Sequence, residues 1–279
     1  AYHRITPVFV ARAELEAACA EGAVLFAYAP HVVLPTCVAA FTYGGPVRRA
    51  LHHLETIANM RVLASSMFMW IPGLHHLWRF MGGSPVSRQS IDAHLAAGRS
   101  LCITPGGVSE ALRVSHAEEV LYLRRRYGFV KAAARRGAAI VPTFAFGQRD
   151  VYSWWIPFAG TRWLNYVSRR LHVVPMFYWG RFGSRAVALA WLMTTVLAVL
   201  WSSVAIAAAN LALGLALVYP HRQPVTVVIG APITTTDIGA APSRSQVRQK
   251  LDEVVNAMET LYYEHRVEHG DERLELRIE

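Results

Sequence analysis

A single histidine, His31, closes a short apolar run and is of the residue type that moves protons near neutral pH. Residues 23–28 read AVLFAY, followed by Ala29, Pro30 and His31, and no charged residue lies close in sequence. Such a run is typical of a buried strand. An imidazole at the end of that strand can act as a general base. The alternative is a histidine that is hydrogen-bonded inside the core.

A glycine-containing loop, residues 105–110 (PGGVSE), follows a second apolar run at residues 101–104. Glycines let backbone N–H groups approach a ligand closely, and amides at a helix start stabilise an oxyanion or a phosphate. Glu110 could orient the His31 imidazole, as a buried carboxylate does in a catalytic triad. The alternatives are an ordinary turn and a Glu110 side chain that faces water.

Ser109 offers a different chemistry, because residues 107–111 (GVSEA) match part of the G-x-S-x-G motif of serine hydrolases. The last glycine of that motif is alanine here. The pairs His52-His53 and His75-His76 lack the spacing of zinc ligands, and no H-E-x-x-H segment occurs. The sequence also has neither a P-loop nor a dinucleotide-binding fingerprint.

Five apolar runs, alternating with helical stretches, predict the elements that position these residues. The predicted strands are residues 23–28, 101–104, 138–146, 173–178 and 225–229, and the predicted helices include 86–97, 129–136 and 244–265. This alternation favours the α/β class, with a mostly parallel sheet flanked by helices. In such folds the chemistry sits at the carboxyl ends of the strands, where His31 and the 105–110 loop fall.

The composition is basic and apolar. The 279 residues carry a formal charge of +9, with 53% hydrophobic and 17% charged residues. This excludes intrinsic disorder, and the three scattered cysteines, Cys19, Cys37 and Cys102, exclude a disulfide scaffold. Eight tryptophans in such a chain fit a membrane surface better than a nucleic acid. The basic stretch 121–136 is either a solvated face or a contact for anionic lipid headgroups or the phosphates of coenzyme A.

Residues 186–219 contain no charged residue and no histidine over 34 positions. Runs beyond about 18 such residues are candidates for membrane insertion. Basic residues flank both ends, and the last predicted strand follows, so we expect a re-entrant helical hairpin that turns near Ser202-Ser203 or Asn210. The alternatives are a buried core helix and a mistranslated insertion. The expected domains are 1–184 plus 220–279 for catalysis and 185–219 for the inserted hairpin.

The chain resembles the acyl-CoA:diacylglycerol acyltransferase type 2 family, which includes monoacylglycerol acyltransferases and wax synthases. The matching segments are collinear: Tyr28-Ala29-Pro30-His31, PVSR at 85–88, PGGVSEAL at 105–112, RYGFVKAAARRGAAIVPTFAF at 126–146, Trp179-Gly180-Arg181 and PVTVVIGAPI at 224–233. There are three departures. Val32 replaces the glycine after the motif histidine, Gln148 replaces a glutamate, and the apolar segment separates the last two motifs.

The resemblance implies transfer of a fatty acyl group from acyl-CoA to a lipid hydroxyl, with diacylglycerol as the favoured acceptor and monoacylglycerol or a fatty alcohol as alternatives. His31 would take the hydroxyl proton, with Glu110 as the second catalytic residue. Pro30 would belong with Gly106 and Gly107 to the loops that hold the oxyanion and the substrate. The amides of Gly106 and Gly107 would hold the oxyanion.

Arg88, Lys131 and Arg181 would bind acyl-CoA, which is the co-substrate, so that neither a cofactor nor a metal is implied. The expected partners are membrane lipids and no nucleic acid, in the endoplasmic reticulum membrane or at the lipid droplet surface; homo-oligomerisation is left open. Two other classes remain: a catalytically inactive lipid-binding scaffold and a serine lipid hydrolase.

Overall fold

The computed structural model describes residues 5–32, 36–65, 74–157, 159–171, 174, 176–201, 204–269, 272 and 274–279. Among these residues, seven strands form the central sheet. In spatial order they are β1 (Ile5–Phe9), β10 (Val225–Ile229), β7 (Ala139–Phe146), β2 (Val24–Ala29), β5 (Leu101–Ile103), β3 (Arg61–Ala64) and β4 (Gly83–Pro85).

The five strands from β7 to β4 are parallel, whereas β10 pairs with β7 in the antiparallel sense and β1 runs parallel to β10. Helices cover both faces of this sheet, as its continuous apolar strands require. The helices are α1 (Arg12–Glu21), α2 (Pro46–Ala50), α3 (Glu55–Ala58), α4 (Leu74–Phe80), α5 (Arg88–Ala96), α6 (Val108–Ala111), α7 (Tyr127–Arg136), α8 (Arg162–Leu171), α9 (Arg185–Trp201), α10 (Val204–Val218) and α11 (Arg244–His265).

The central strand β2 lies between two apolar layers, and all six of its residues are buried. Leu25 and Ala27 face a cluster that includes residues of α5, α7 and α11. Phe26 and Tyr28 face a second cluster built with α1, α2 and α3. The predicted α/β class with a mostly parallel, helix-flanked sheet is therefore confirmed, and the end of β2 is fixed from both sides.

Two predicted strands take a different place from the one expected. The run 173–178 lies partly outside the described residues, and its described part contributes to β9 (Phe177–Trp179), which pairs with β8 (Ser153–Trp155) in a separate antiparallel sheet. β10 belongs to the central sheet but runs against β7, so its carboxyl end lies at the opposite edge from His31. A further small sheet pairs β6 (Glu118–Leu121) with β11 (Glu275–Ile278).

Capping side chains explain where two predicted helices begin. The predicted helix 86–97 starts at Arg88, because the Ser87 side chain accepts a hydrogen bond from the backbone N–H of Ser90. Helix α11 has the predicted bounds and begins with a capping box of Ser243 and Gln246.

The apolar segment forms two helices, α9 and α10, that pack against each other. In the middle of α10, the Asn210 amide donates to the Trp191 carbonyl at 3.2 Å and to Thr195 Oγ1 at 2.6 Å. The prediction of a turn at Asn210 is therefore wrong, because Asn210 lies within α10 and joins it to α9. The other expected turn, residues 202–203, lies outside the described residues. Among the helices that the structure describes, none is long and apolar enough to cross a membrane.

Candidate active site

His31 follows the cis Ala29–Pro30 peptide at the carboxyl end of β2, and its side chain is partly exposed. The imidazole Nδ1 lies 3.0 Å from the backbone carbonyl of Val32. Because a carbonyl oxygen can only accept a hydrogen bond, Nδ1 must carry the proton. Nε2 is then left with the lone pair that a general base needs.

Val32, the residue that replaces the family glycine, is buried and has a φ of 42°. This is the left-handed region, which a β-branched side chain rarely adopts and glycine adopts freely. The chain therefore keeps a glycine-like backbone at this position although it carries valine. That backbone puts the Val32 carbonyl where it meets the His31 ring.

Glu110 holds the main chain of His31 and not its ring. The backbone N–H of His31 donates to Glu110 Oε1 at 2.5 Å, and the backbone N–H of Tyr122 donates to Glu110 Oε2 at 2.9 Å. The expected contact between the carboxylate and the imidazole is wrong, because the Val32 carbonyl takes that place. Glu110 is 2% exposed and joins the β2 end to the segment after β6, which makes it a positioning residue.

Gly106 allows this carboxylate to approach. A Cβ atom at Gly106 would lie 2.0 Å from Glu110 Oε2, a distance that two heavy atoms cannot share. The Gly106 carbonyl accepts a hydrogen bond from Arg126 Nη2 at 2.7 Å. Gly107, with a φ of 54°, then turns the chain into α6. The structure thus brings Pro30, His31, Gly106, Gly107 and Glu110 together at one edge of the sheet.

Burial changes the pKa values of His31 and Glu110 in opposite directions, and each change favours the neutral form. Loss of hydration lowers the pKa of His31, which keeps the imidazole neutral near pH 7. Burial raises the pKa of Glu110 to about 7, although the N–H groups of Tyr122 and His31 and the charge of Arg126 oppose the shift.

Gln148, another departure from the family pattern, supports the same edge from the β7 side. Its side-chain amide donates to the Pro30 carbonyl at 2.7 Å, and its oxygen accepts a hydrogen bond from the Tyr28 hydroxyl. A carboxylate could accept from Tyr28 but could not donate to Pro30. The sequence shows the replacement but not this role, because the partners lie about 120 positions away in the chain.

A basic cleft of about 750 Å³ opens beside the carboxyl end of β5; it is lined by residues 86–88, 91, 103–105, 125–129, 131, 132 and 135. Arg88 and Lys131 both line it, joined by three cationic residues that the site prediction did not name, Arg125, Arg126 and Arg135. Among the described residues, no acidic side chain lines this cleft, although Asp92 Oδ1 lies 3.6 Å from Arg135. The N-terminus of α7 adds its partial positive charge.

Arg181, the third residue expected to bind acyl-CoA, does not line the basic cleft. It is exposed, its backbone N–H donates to the Tyr219 carbonyl at 2.8 Å, and its guanidinium lies 5.8 Å from the centre of the Phe182 ring. The structure therefore places Arg181 at the end of the α9–α10 hairpin.

Within the described residues, neither a serine nucleophile nor a metal ligand set joins His31. Among the described side chains, no hydrogen bond connects Ser109 with His31; the Ser109 carbonyl instead accepts from Arg113 Nη1 at 2.6 Å. Within the same part of the chain, one group has ligand atoms close enough for a metal ion: His265, Glu268 and His269, at the end of α11. It includes none of the predicted site residues.

The fold and the site define an α/β protein with a histidine at a strand end and a basic cleft beside the neighbouring strand. The family model described as diacylglycerol acyltransferase matches residues 7–210, so the chain belongs to that family. The mouse diacylglycerol O-acyltransferase 2-like protein 6 is 28% identical over 72% of this chain and 54% of its own length.

Two further relatives carry different names within the same family. The mouse acyl-CoA wax alcohol acyltransferase 2 is 26% identical over 75% of this chain and 56% of its own length. The human 2-acylglycerol O-acyltransferase 3 is 30% identical over 66% of this chain and 48% of its own length. The chain thus spans about half the length of the curated relatives that it matches. No solved structure matches it significantly.

Proposed function

We propose that this chain transfers a fatty acyl group from acyl-CoA to the hydroxyl of diacylglycerol, forming triacylglycerol. The observation that carries the proposal is the state of His31: a neutral imidazole at a strand end, with Nδ1 committed to the Val32 carbonyl and Nε2 left as the base. Family membership supplies the reaction class, acyl transfer.

In the proposed step, His31 Nε2 takes the proton of the acceptor hydroxyl while its oxygen attacks the thioester carbonyl carbon. A carbon–oxygen bond forms, and the carbonyl oxygen becomes an oxyanion that the amides of Gly106 and Gly107 stabilise. The carbon–sulfur bond then breaks, and the coenzyme A sulfur leaves with the proton from the imidazolium. A general base contributes about 10²–10⁴-fold to such a step, and each oxyanion donor about 10²–10³-fold.

The basic cleft is the proposed site for the phosphates of acyl-CoA. In the part of the chain that the structure describes, five cationic side chains and no acidic one line its walls, and it reaches Pro105, the residue before Gly106. Guanidinium groups bind phosphate oxygens through paired charge-assisted hydrogen bonds. We assign this role to Arg88 and Lys131 with Arg125 and Arg135, and not to Arg181. Arg126 contributes charge while it holds the Gly106 carbonyl.

A lipid acceptor fits the exposed apolar surface of α9 and α10. Leu200 is 69% exposed, Met193 65% and Leu211 64%, and burial of such side chains is favourable wherever an apolar phase is available. We therefore propose that residues 185–219 dip into the bilayer, of the endoplasmic reticulum or a lipid droplet. The remaining residues, 1–184 and 220–279, would form the catalytic domain at its surface.

The acceptor is tested by a lipid-product profile. Membranes from cells that lack neutral lipid, with and without this chain, receive labelled acyl-CoA and diacylglycerol, monoacylglycerol or a fatty alcohol in turn. We expect labelled triacylglycerol to dominate. Labelled wax ester as the main product would identify a fatty alcohol as the acceptor, as in the name of the wax alcohol relative. Labelled diacylglycerol would identify monoacylglycerol, as in the name of the 2-acylglycerol relative. No labelled product with any acceptor would contradict acyl transfer.

A further inference from the structure

A second, smaller cleft is lined mainly by the segment that follows β7. It has a volume of about 300 Å³ and is lined by residues 116, 149, 150, 152–154, 221 and 223. Arg149 directly follows Gln148, whose side chain holds the Pro30 carbonyl. The second cleft therefore includes the chain neighbour of a residue that supports the His31 edge. The mechanism proposed above uses only the basic cleft.

The Arg149 guanidinium has a buried nitrogen, Nη1, that lacks a hydrogen-bond acceptor among the described residues. A buried N–H group without a partner costs free energy, more so when it is charged, and such a group in a native fold calls for an explanation. Arg149 lines the second cleft, so a small rotation of its guanidinium would let this nitrogen reach an acceptor bound there.

Two imidazoles share the second cleft with this guanidinium. The His116 ring stacks on Trp154 with centroids 4.0 Å apart and planes 5° apart. His221 Nε2 lies 3.2 Å from Ser153 Oγ, so this ring too is fixed in place. Imidazoles and hydroxyls in these positions can donate hydrogen bonds to the same oxygens that Arg149 would bind.

Two arginines place positive charge near His116 in the second cleft. The pKa of His116 is lowered by burial and then by the positive charges of Arg149 and Arg185. Asp150 also lines the cleft and opposes this positive charge, but its side chain is exposed to solvent, which screens it. An anion with several oxygens would relieve the repulsion between Arg149 and a protonated His116.

We propose that the second cleft binds a phosphate monoester through Arg149, His116, His221 and Ser153. A cavity of this size holds a phosphate group with a small substituent. A dianion there would accept hydrogen bonds from the Arg149 guanidinium and from the neighbouring imidazoles. The monoester is either the headgroup of a lipid or a free phosphate compound. The assignment does not rest on the proposed acyl transfer, because binding is measured without acyl-CoA.

The test follows His116 by NMR in the purified full chain, labelled at histidine Cε1 in detergent micelles and assigned with His116→Gln. Glycerol 3-phosphate, inorganic phosphate and a 1-acylglycerol 3-phosphate are titrated in turn at several pH values. We expect each to raise the pH at which His116 titrates, because a nearby dianion stabilises the imidazolium. A stronger response to the acyl compound would identify a lipid headgroup, and equal responses would identify a free phosphate ligand.

Arg149→Gln should raise the phosphate concentration that gives half of the His116 response at least tenfold. Arg149→Lys should raise it less, since lysine keeps the charge but not the paired donors. Arg88→Gln, in the basic cleft, is the matched control and should leave the His116 response unchanged. Circular dichroism establishes that each variant is folded. No response to any phosphate compound, or an equal response in Arg149→Gln, would overturn the proposal.

Discussion

The His31 edge and the α9–α10 hairpin distribute polar and apolar groups in opposite ways. At the edge, the buried Glu110 carboxylate and the Gln148 amide have their hydrogen bonds inside the protein. In the hairpin, Asn210 joins the two helices through the Trp191 carbonyl, while large apolar side chains such as Leu200 point outwards.

At the His31 edge, buried polar groups have their hydrogen-bond partners within the protein. In the hairpin, apolar side chains are exposed and would be buried only by an apolar phase outside the protein. Polar bonds on the inside and apolar groups on the outside are the arrangement of helices that pack in lipid. Buried polar groups that bond to main-chain atoms are instead the arrangement of a rigid site. Changes at the two regions should therefore affect different measurements.

The largest effect is expected when the hairpin surface becomes charged. Leu200→Glu combined with Leu211→Glu should lower partitioning into lipid vesicles by about 100-fold or more, because burial of each leucine contributes about 1.5–3 kcal/mol. Stability should change little, since both side chains are exposed. Vesicle flotation measures the effect.

The matched control for the hairpin is Leu77→Glu combined with Val267→Glu, two changes at exposed apolar residues elsewhere, 54% and 59% exposed. These should leave partitioning nearly unchanged. An equal loss in both double variants would mean that general charge, and not the hairpin, controls membrane binding.

At the edge, Glu110 should make stability depend on pH. Its pKa of about 7 in the folded protein lies above the usual value, so the folded state binds the proton more tightly. The stabilisation is complete at acidic pH and is lost as the pH rises through about 7, by about 3 kcal/mol at most.

Glu110→Gln removes this ionisation, so its free energy of unfolding, measured with urea from pH 5 to 8, should fall less steeply with rising pH than that of the parent. Glu14→Gln, at an exposed glutamate of α1, should keep the parent slope. A parent-like slope in Glu110→Gln would mean that the carboxylate does not titrate in this range.

Gly106→Ala should lower stability by about 1–3 kcal/mol, because the new methyl group overlaps the Glu110 carboxylate. It should lower acyl transfer as well, since Glu110 holds the His31 main chain. Gly22→Ala is the control, with nothing within 4 Å of the added atom. If thermal unfolding of the two variants coincides, the close approach of Glu110 to Gly106 is contradicted.

The smallest effect is expected for Val32→Gly. Relief of the left-handed backbone, about 1–3 kcal/mol, offsets the loss of a buried side chain, so stability should change by less than about 1 kcal/mol. Val62→Gly, at a buried strand position in β3, has no such relief and should cost about 2–4 kcal/mol. Similar losses in the two variants would argue against strain at Val32.

Much of the central sheet could be predicted, because continuous apolar runs mark β2, β5, β7 and β10, and the carboxyl ends of parallel strands meet. That rule also placed His31 near the 105–110 loop. The edge strand β1 was missed, since Pro7 interrupts its pattern. The sheet to which β9 belongs could not be predicted, because a short apolar run does not specify its partner.

The finer geometry of the site depends on contacts between distant segments. The sequence indicated Glu110 beside His31, but whether it meets the ring or the main chain depends on the path of the loop over Gly106. The basic stretch 121–136 suggested phosphate binding, whereas its grouping with Arg88 across α5 and α7 required the fold. That Arg181 lies apart from Arg88 and Lys131 could not be predicted, because a motif match carries no information about which cleft a side chain faces.

The most direct test of a histidine base is the initial rate of acyl transfer by His31→Ala, with labelled acyl-CoA and diacylglycerol in membranes of matched protein content. We predict a fall of about 10²–10⁴-fold. His53→Ala, at an exposed histidine, should keep the parent rate. A His31→Ala rate close to that of the parent would contradict the assignment of His31 as the base.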